Sequence, residues 1–215
     1  MSKALILDFG GVVTRTLFET HDLSEAALSL APGTLTWRGP FDPENDPLWR
    51  DMQADRISER DYWMKRTREV GALVGKDWTK MADFVRAARG GDPDAVIRPE
   101  FRETIAAAKA ANIGLAILSN ELDLFYGADF RDKLPFLADF DVIVDATYTN
   151  ILKPDPRAYR ACLDELGLAA GDCVFVDDQL RNIEGAKAVG LNTVHFDVCR
   201  PRESYAAAQH LLGIA

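Results

Sequence analysis

The 215-residue sequence predicts an α/β fold, a doubly wound parallel sheet of about five strands with a helical subdomain inserted after the first strand. Three observations predict it. Short apolar runs recur along the chain and alternate with segments of helical periodicity, the arrangement that yields a parallel sheet covered by helices. The stretch 17–96 breaks that alternation, offering helix patterns such as residues 58–70 but no convincing strand. Finally, the apolar runs end in a coherent set of polar residues, as strands do when they deliver side chains to one edge of a sheet.

The first strand is read at residues 4–7, an apolar run that stops at Asp8 and enters a tight turn through Gly10 and Gly11. Further runs of the same character lie at residues 113–118, 142–144, 173–176 and 193–196. The clearest helix follows Asp155, which caps it. Pro156 takes the first helical position and Gly167 closes the last turn. Its residues Tyr159, Cys162, Leu163 and Leu166 share one face, directed at a core. A second helix begins at Pro99 and aligns Phe101, Ile105 and Ala108; a third, after Asp178, aligns Ile183, Ala186 and Val189 before Gly190. All four tryptophans, Trp37, Trp49, Trp63 and Trp78, fall in the inserted stretch, where large side chains are expected to build a small core. The loop 31–47, rich in Pro, Gly and Asp, is expected to be partly mobile.

Composition narrows the function. With 34 acidic against 25 basic residues and a formal charge of -9, the chain lacks the clustered Lys and Arg needed to neutralise a phosphate backbone, so nucleic acid is not expected as a partner. Its three cysteines show no CxxC spacing and its three histidines no HExxH pair, which argues against a disulfide framework and a zinc site. The N-terminal apolar run is too short and too acidic for a signal peptide or membrane span. A cytoplasmic protein without membrane attachment is therefore expected. The tripeptide Asp8-Phe9-Gly10 and the stretch 71–76 imitate kinase and P-loop motifs, but both lack the flanking residues those motifs require.

In an open parallel sheet, ligands bind beyond the carboxyl ends of the strands. Asp8 ends the first strand, Ser119 and Asn120 the second, and Asp177 and Asp178 the fourth, while Lys153 follows the third. Taken singly, each has a plainer explanation as a turn cap, a solvated cation or a helix cap. Together they suggest chemistry. Three neighbouring carboxylates repel one another unless a hard divalent cation lies among them, and magnesium is the natural choice. An ion, a lysine, a hydroxyl and turn amides would recognise a phosphate, which a carboxylate could attack.

These residues resemble the haloacid dehalogenase superfamily. Four motifs match in order: Leu5-Ile6-Leu7-Asp8-Phe9-Gly10-Gly11-Val12-Val13; Leu118-Ser119-Asn120; Lys153-Pro154-Asp155-Pro156; and Val174-Phe175-Val176-Asp177-Asp178, with Asn182 and Gly185-Ala186 behind it. The resemblance implies a Rossmann-like core over residues 1–16 and 97–215, a helical cap over 17–96, and an active site in the cleft between them. It implies that Asp8 is the nucleophile and a Mg²⁺ ligand, that Gly10 lends its carbonyl to the metal, and that Asp178 binds it directly. Asp177 would act through water or as a second ligand. Ser119, the amide of Asn120 and the Gly11 turn would hold phosphoryl oxygens, and Lys153 would neutralise nucleophile and phosphate together. The implied reaction is Mg²⁺-dependent hydrolysis of a small, sugar-phosphate-like phosphomonoester through an aspartyl-phosphate.

One position departs from the typical phosphatase pattern. Two residues after the nucleophile, where an acid-base aspartate usually stands, this chain has Gly10. Such assistance contributes roughly 10²–10⁴ in rate, so leaving groups that are already acidic are expected to be favoured. Two alternatives stay open on the sequence: a metal-independent 2-haloacid dehalogenase, which needs no general acid, and a catalytically degenerate ligand-binding protein.

Overall fold

The computed structural model describes residues 3–89 and 93–214. Its strands are β1 (Ala4–Leu7), β2 (Gly114–Ser119), β3 (Val142–Asp145), β4 (Cys173–Asp177) and β5 (Asn192–His195), and its helices are α1 (His21–Ala27), α2 (Pro47–Gln53), α3 (Glu59–Leu73), α4 (Met81–Arg89), α5 (Pro99–Ala110), α6 (Leu122–Tyr126), α7 (Ala146–Thr149), α8 (Pro156–Leu166), α9 (Leu180–Val189) and α10 (Pro201–Leu212). The chain divides into two units. One comprises Met1–Arg15, Ile97–Asp123 and Arg131–Ala215; the other, Thr16–Val96 with Leu124–Phe130.

The first unit holds the sheet, in the order β3-β2-β1-β4-β5, with every pairing parallel. This is the expected doubly wound α/β arrangement. β1 lies at its centre and buries all four residues, which is why its sequence is continuously apolar rather than alternating. Register sets the functional edge: Leu7 pairs with Ile117 on one side and with Val176 on the other, so the residues that follow these three strands emerge together. The ladders run one residue further than the apolar runs, taking in Ser119 and Asp177, because a polar side chain at a strand end does not interrupt backbone pairing.

α8 starts and stops as its sequence dictates. The Asp155 carboxylate accepts a hydrogen bond from the Arg157 amide, and Gly167 turns left-handed at φ 64. Tyr159, Cys162 and Leu163 pack with Ile6, Ala116, Leu118, Phe175, Ile183 and Ala186 into one core. α9 comes very close to the Lys153 loop at Gly185, where a Cβ would stand 2.7 Å from Pro154 Cβ and 2.9 Å from its carbonyl oxygen. The Lys153–Pro154 peptide is cis.

The second unit is helical and aromatic. Phe18 meets Trp37, Trp49, Tyr62 and Trp63 at centroid separations of 5.3–6.1 Å, and Trp63 also meets Phe125 at 5.4 Å. Trp37 and Trp49 are buried. Ser58 and Asp61 form a capping box at the start of α3. The loop expected to be partly mobile is tied down at its end by Asp46, which is fully buried. The Asp46 carboxylate accepts from Gly39 N, Trp49 N, Tyr62 Oη and Arg66 Nη2. A buried charge with four donors holds its surroundings in one arrangement. No helix among the described residues is long and apolar enough to cross a membrane.

Candidate active site

Beyond Leu7 the chain does not continue as strand or as regular helix. Over Phe9–Val13 it forms a tight turn in which Gly10 is extended (φ -72, ψ 125) and Gly11 left-handed (φ 81, ψ -28). Glycine at 11 suits that conformation, which disfavours any residue with a Cβ. Asp8 is still tied to the sheet, its amide donating to the Val176 carbonyl at 2.9 Å. Its carboxylate therefore leaves the centre of the carboxyl edge beside the end of β4.

Lys153 reaches the same point from the loop after β3. Its Nζ donates to Asp8 Oδ1 at 2.7 Å and to Asp177 Oδ2 at 2.6 Å. The lysine and Asp177 side chains are 1% and 0% exposed, whereas that of Asp8 is 13% exposed, so Asp8 is the member of the trio that solvent reaches. Burial alone would lower the lysine pKa; attraction to Asp177 and then to Asp8 outweighs it and holds the ammonium protonated well above its usual range. A charged lysine is thus held against the partly exposed carboxylate.

The supporting contacts explain how so costly a group is kept in place. Asp177 also accepts from Gln179 N at 2.8 Å and from Asn182 Nδ2 at 3.1 Å on each oxygen. Both Asp177 oxygens are therefore engaged by protein donors, and of the adjacent aspartates it is the one that holds the lysine. Asn120 clamps the lysine backbone in both directions, Nδ2 donating to the Lys153 carbonyl at 3.1 Å and Oδ1 accepting from the Lys153 amide at 2.7 Å. Ser119 ends β2 and is buried, its Oγ accepting from Glu121 N at 3.4 Å. Asp178 is half-buried, and its carbonyl lies 3.1 Å from His195 Nε2. His195 is itself exposed and lies against this loop.

Sequence reasoning missed several supports. The turn after Asp8 is held from behind by Arg98, whose Nε donates to the Gly11 carbonyl at 2.9 Å, and by Tyr205, whose hydroxyl donates to the Val12 carbonyl at 2.9 Å. Arg98 follows a short apolar run, Ala95-Val96-Ile97, that is not one of the sheet's strands, and Tyr205 ends no such run, so the strand-end pattern marks neither. The side-chain role of Asn120 is equally invisible, since a motif indicates which residue is present but not which atoms it uses.

Among the described residues, no group of three or more His, Cys, Asp or Glu side chains is placed to hold a metal ion, in keeping with the engagement of Asp177 by Lys153. The remaining donors do suit a hard cation chemically. The carboxylates at 8 and 178 and the backbone carbonyl of Gly10 all offer oxygen atoms, on adjoining loops. Within the same cluster, Asn182 Oδ1 is a buried acceptor with no hydrogen-bond partner.

Fold and site together define an α/β protein with a partly exposed strand-end aspartate held by a buried lysine at the carboxyl edge of a parallel sheet. The family description "haloacid dehalogenase-like hydrolase" matches residues 2–190, and the chain belongs to that family. Protein CbbY of Cupriavidus necator is 37% identical over 208 residues, covering 89% of this chain and 77% of the relative. (S)-2-haloacid dehalogenase 1 of a Pseudomonas species is 30% identical over 180 residues, 79% of this chain and 78% of the relative. The sesquiterpene phosphatase astK of Aspergillus oryzae is 26% identical over 197 residues, 90% and 89% of the two chains. The chain spans only 10% of mouse acyl-CoA dehydrogenase family member 10, to which it is 33% identical over 116 residues. Among solved structures, L-2-haloacid dehalogenase from Xanthobacter autotrophicus shares the fold, with a TM-score of 0.59 and 23% identity over 100% of this chain and 85% of that one.

Proposed function

We propose that this hydrolase is a phosphatase that cleaves a small phosphomonoester, sugar-phosphate-like, through an aspartyl-phosphate at Asp8. The observation that carries the reading is the Lys153 ammonium shared between Asp8 and Asp177, at 2.7 and 2.6 Å. A cation fixed against the reacting carboxylate offsets repulsion between that carboxylate and an incoming phosphate dianion, which a neutral site would leave in full. Asp8 would attack phosphorus, forming an O–P bond as the bond to the leaving oxygen breaks; water would then release phosphate and regenerate the carboxylate. Ser119, the Asn120 amide and the Gly11 turn would bind the phosphoryl oxygens. Asp177 would act by holding Lys153.

Magnesium belongs to this proposal. Asp8, Asp178 and the Gly10 carbonyl would hold it, and when bound it would supply charge to stabilise the phosphoryl group. The helical stretch 17–96 is proposed as the cap from which substrate selectivity derives. With Gly10 at the acid-base position, acidic leaving groups should react fastest, because no carboxyl is available there to protonate a poor one.

A second reading, a 2-haloacid dehalogenase, is favoured by the Pseudomonas relative that bears that name and by the tolerance of halide departure for the lack of a general acid. One experiment separates the two. The protein is assayed for phosphate release from sugar phosphates, aryl phosphates and acyl phosphates with and without magnesium, and for halide release from 2-haloacids in chelator. Phosphate release that chelation abolishes is the expected result; halide release in its place would overturn the phosphatase assignment.

A further inference from the structure

The turn that follows Asp8 is fastened at three successive carbonyls. The Gly11 oxygen accepts from Arg98 Nε at 2.9 Å, the Val12 oxygen from the Tyr205 hydroxyl at 2.9 Å, and the Val13 oxygen from the Arg98 amide at 3.0 Å. Both residues are buried, each 2% exposed. The guanidinium of Arg98 lies over the Phe196 ring at 5.5 Å, and Phe196 in turn meets Tyr205 at 5.1 Å. Burying an arginine is costly. A carbonyl in an irregular turn, however, has no ladder partner, and a donor must be brought to it.

We propose that Arg98, assisted by Tyr205, is a positioning residue for catalysis, fixing the peptide planes of the turn that aims the Asp8 carboxylate. The inference rests on the reading of Asp8 as the reacting group. A trans peptide is planar, so holding the Gly11 and Val12 carbonyls also fixes the Val12 and Val13 N–H groups in the opposite sense. The turn's conformation depends on a left-handed Gly11 at φ 81, and glycine has more alternative conformations than any other residue. External fastening is what selects one of them. Thr14 pairs with Ile97 as an isolated antiparallel bridge, which brings Arg98 to the turn from the strand-like segment just before α5.

The test compares the wild-type chain with Tyr205→Phe, Arg98→Lys and Arg98→Met. Hydrogen exchange is followed at the amides of residues 10–14, with β4 as internal reference, and kcat and KM are measured for p-nitrophenyl phosphate in magnesium. In Arg98→Met the turn amides should exchange faster relative to β4, and kcat should fall about ten-fold or more with a smaller change in KM, since misplacing a reacting group acts mainly on the chemical step. Arg98→Lys should recover part of the loss, and Tyr205→Phe should show a weaker version of the same pattern. Turn exchange that moves no more than that of β4, or wild-type kcat in a variant with a loosened turn, would overturn the proposal. Should Arg98→Met fail to fold, the same criteria apply to the other two variants. Wild-type protein inert toward phosphomonoesters would remove the phosphatase reading instead, and the exchange data alone would then decide whether Arg98 positions the turn.

Discussion

Asp8 and Lys153 sit in unlike settings: the carboxylate is partly open to solvent, whereas the lysine is buried and kept charged by its two carboxylate partners. Asp8→Asn should abolish turnover while leaving the melting temperature close to wild type, because an amide fills the same space and still accepts from Lys153; a fully active variant would remove Asp8 from the chemistry. Lys153→Met should cost activity and stability together. Removing one partner of a buried ion pair is destabilising by about 3–5 kcal/mol, which denaturant titration would read, and unchanged kinetics would exclude the lysine from the site. Much of this was legible in the sequence, because Asp8, Ser119 and Asp177 each end an apolar run and strand ends converge in a parallel sheet. That Asp177 is the aspartate that holds the lysine was not. It turns on where the Lys153 Nζ and the Asn182 amide lie, and side-chain direction leaves no trace in spacing.

Helices and loops around the site act through close approach. α9 passes so near the Lys153 loop that Gly185 has Pro154 backbone and the Tyr159 hydroxyl within 2.9 Å of where a Cβ would stand, and Tyr159 Oη donates to the Asn182 carbonyl at 2.7 Å. Gly185→Ala should therefore push α9 and the Lys153 loop apart. The expected result is a drop in kcat with a loss of about 1–3 kcal/mol in stability, the usual range for overpacking, checked by kinetics and thermal melting; wild-type kinetics would show that the loop has slack. α8 was readable from end to end, since Asp155, Pro156 and Gly167 are local signals with local causes. Residues 124–130 were not. Their grouping with the helical unit depends on contacts such as that between Phe125 and Trp63, which join residues far apart in sequence and carry no short-range signature.

Among the described residues one core is built around the sheet and another, aromatic, around Phe18, and the second has a titratable weak point. His21 is buried edge-on to Trp37, with ring centroids 4.4 Å apart. Burial first, then the charge of Arg38 and a smaller push from Arg66, lower its pKa to about 4 from the usual 6.5, against an opposing pull from Glu25 and a hydrogen bond to the Leu35 backbone. The folded unit thus holds His21 neutral where an unfolded chain would already bind a proton. Stability is intact above about pH 6.5 and is lost as the pH falls toward 4, by up to about 3 kcal/mol. His21→Gln should flatten that dependence, and an equally steep profile in the variant would assign it to other groups. Reading it needs no added label. Trp37, Trp49, Trp63 and Trp78 all lie in the helical unit, so indole emission excited at the red edge is an optical channel for that half of the protein alone, while the sheet half stays dark.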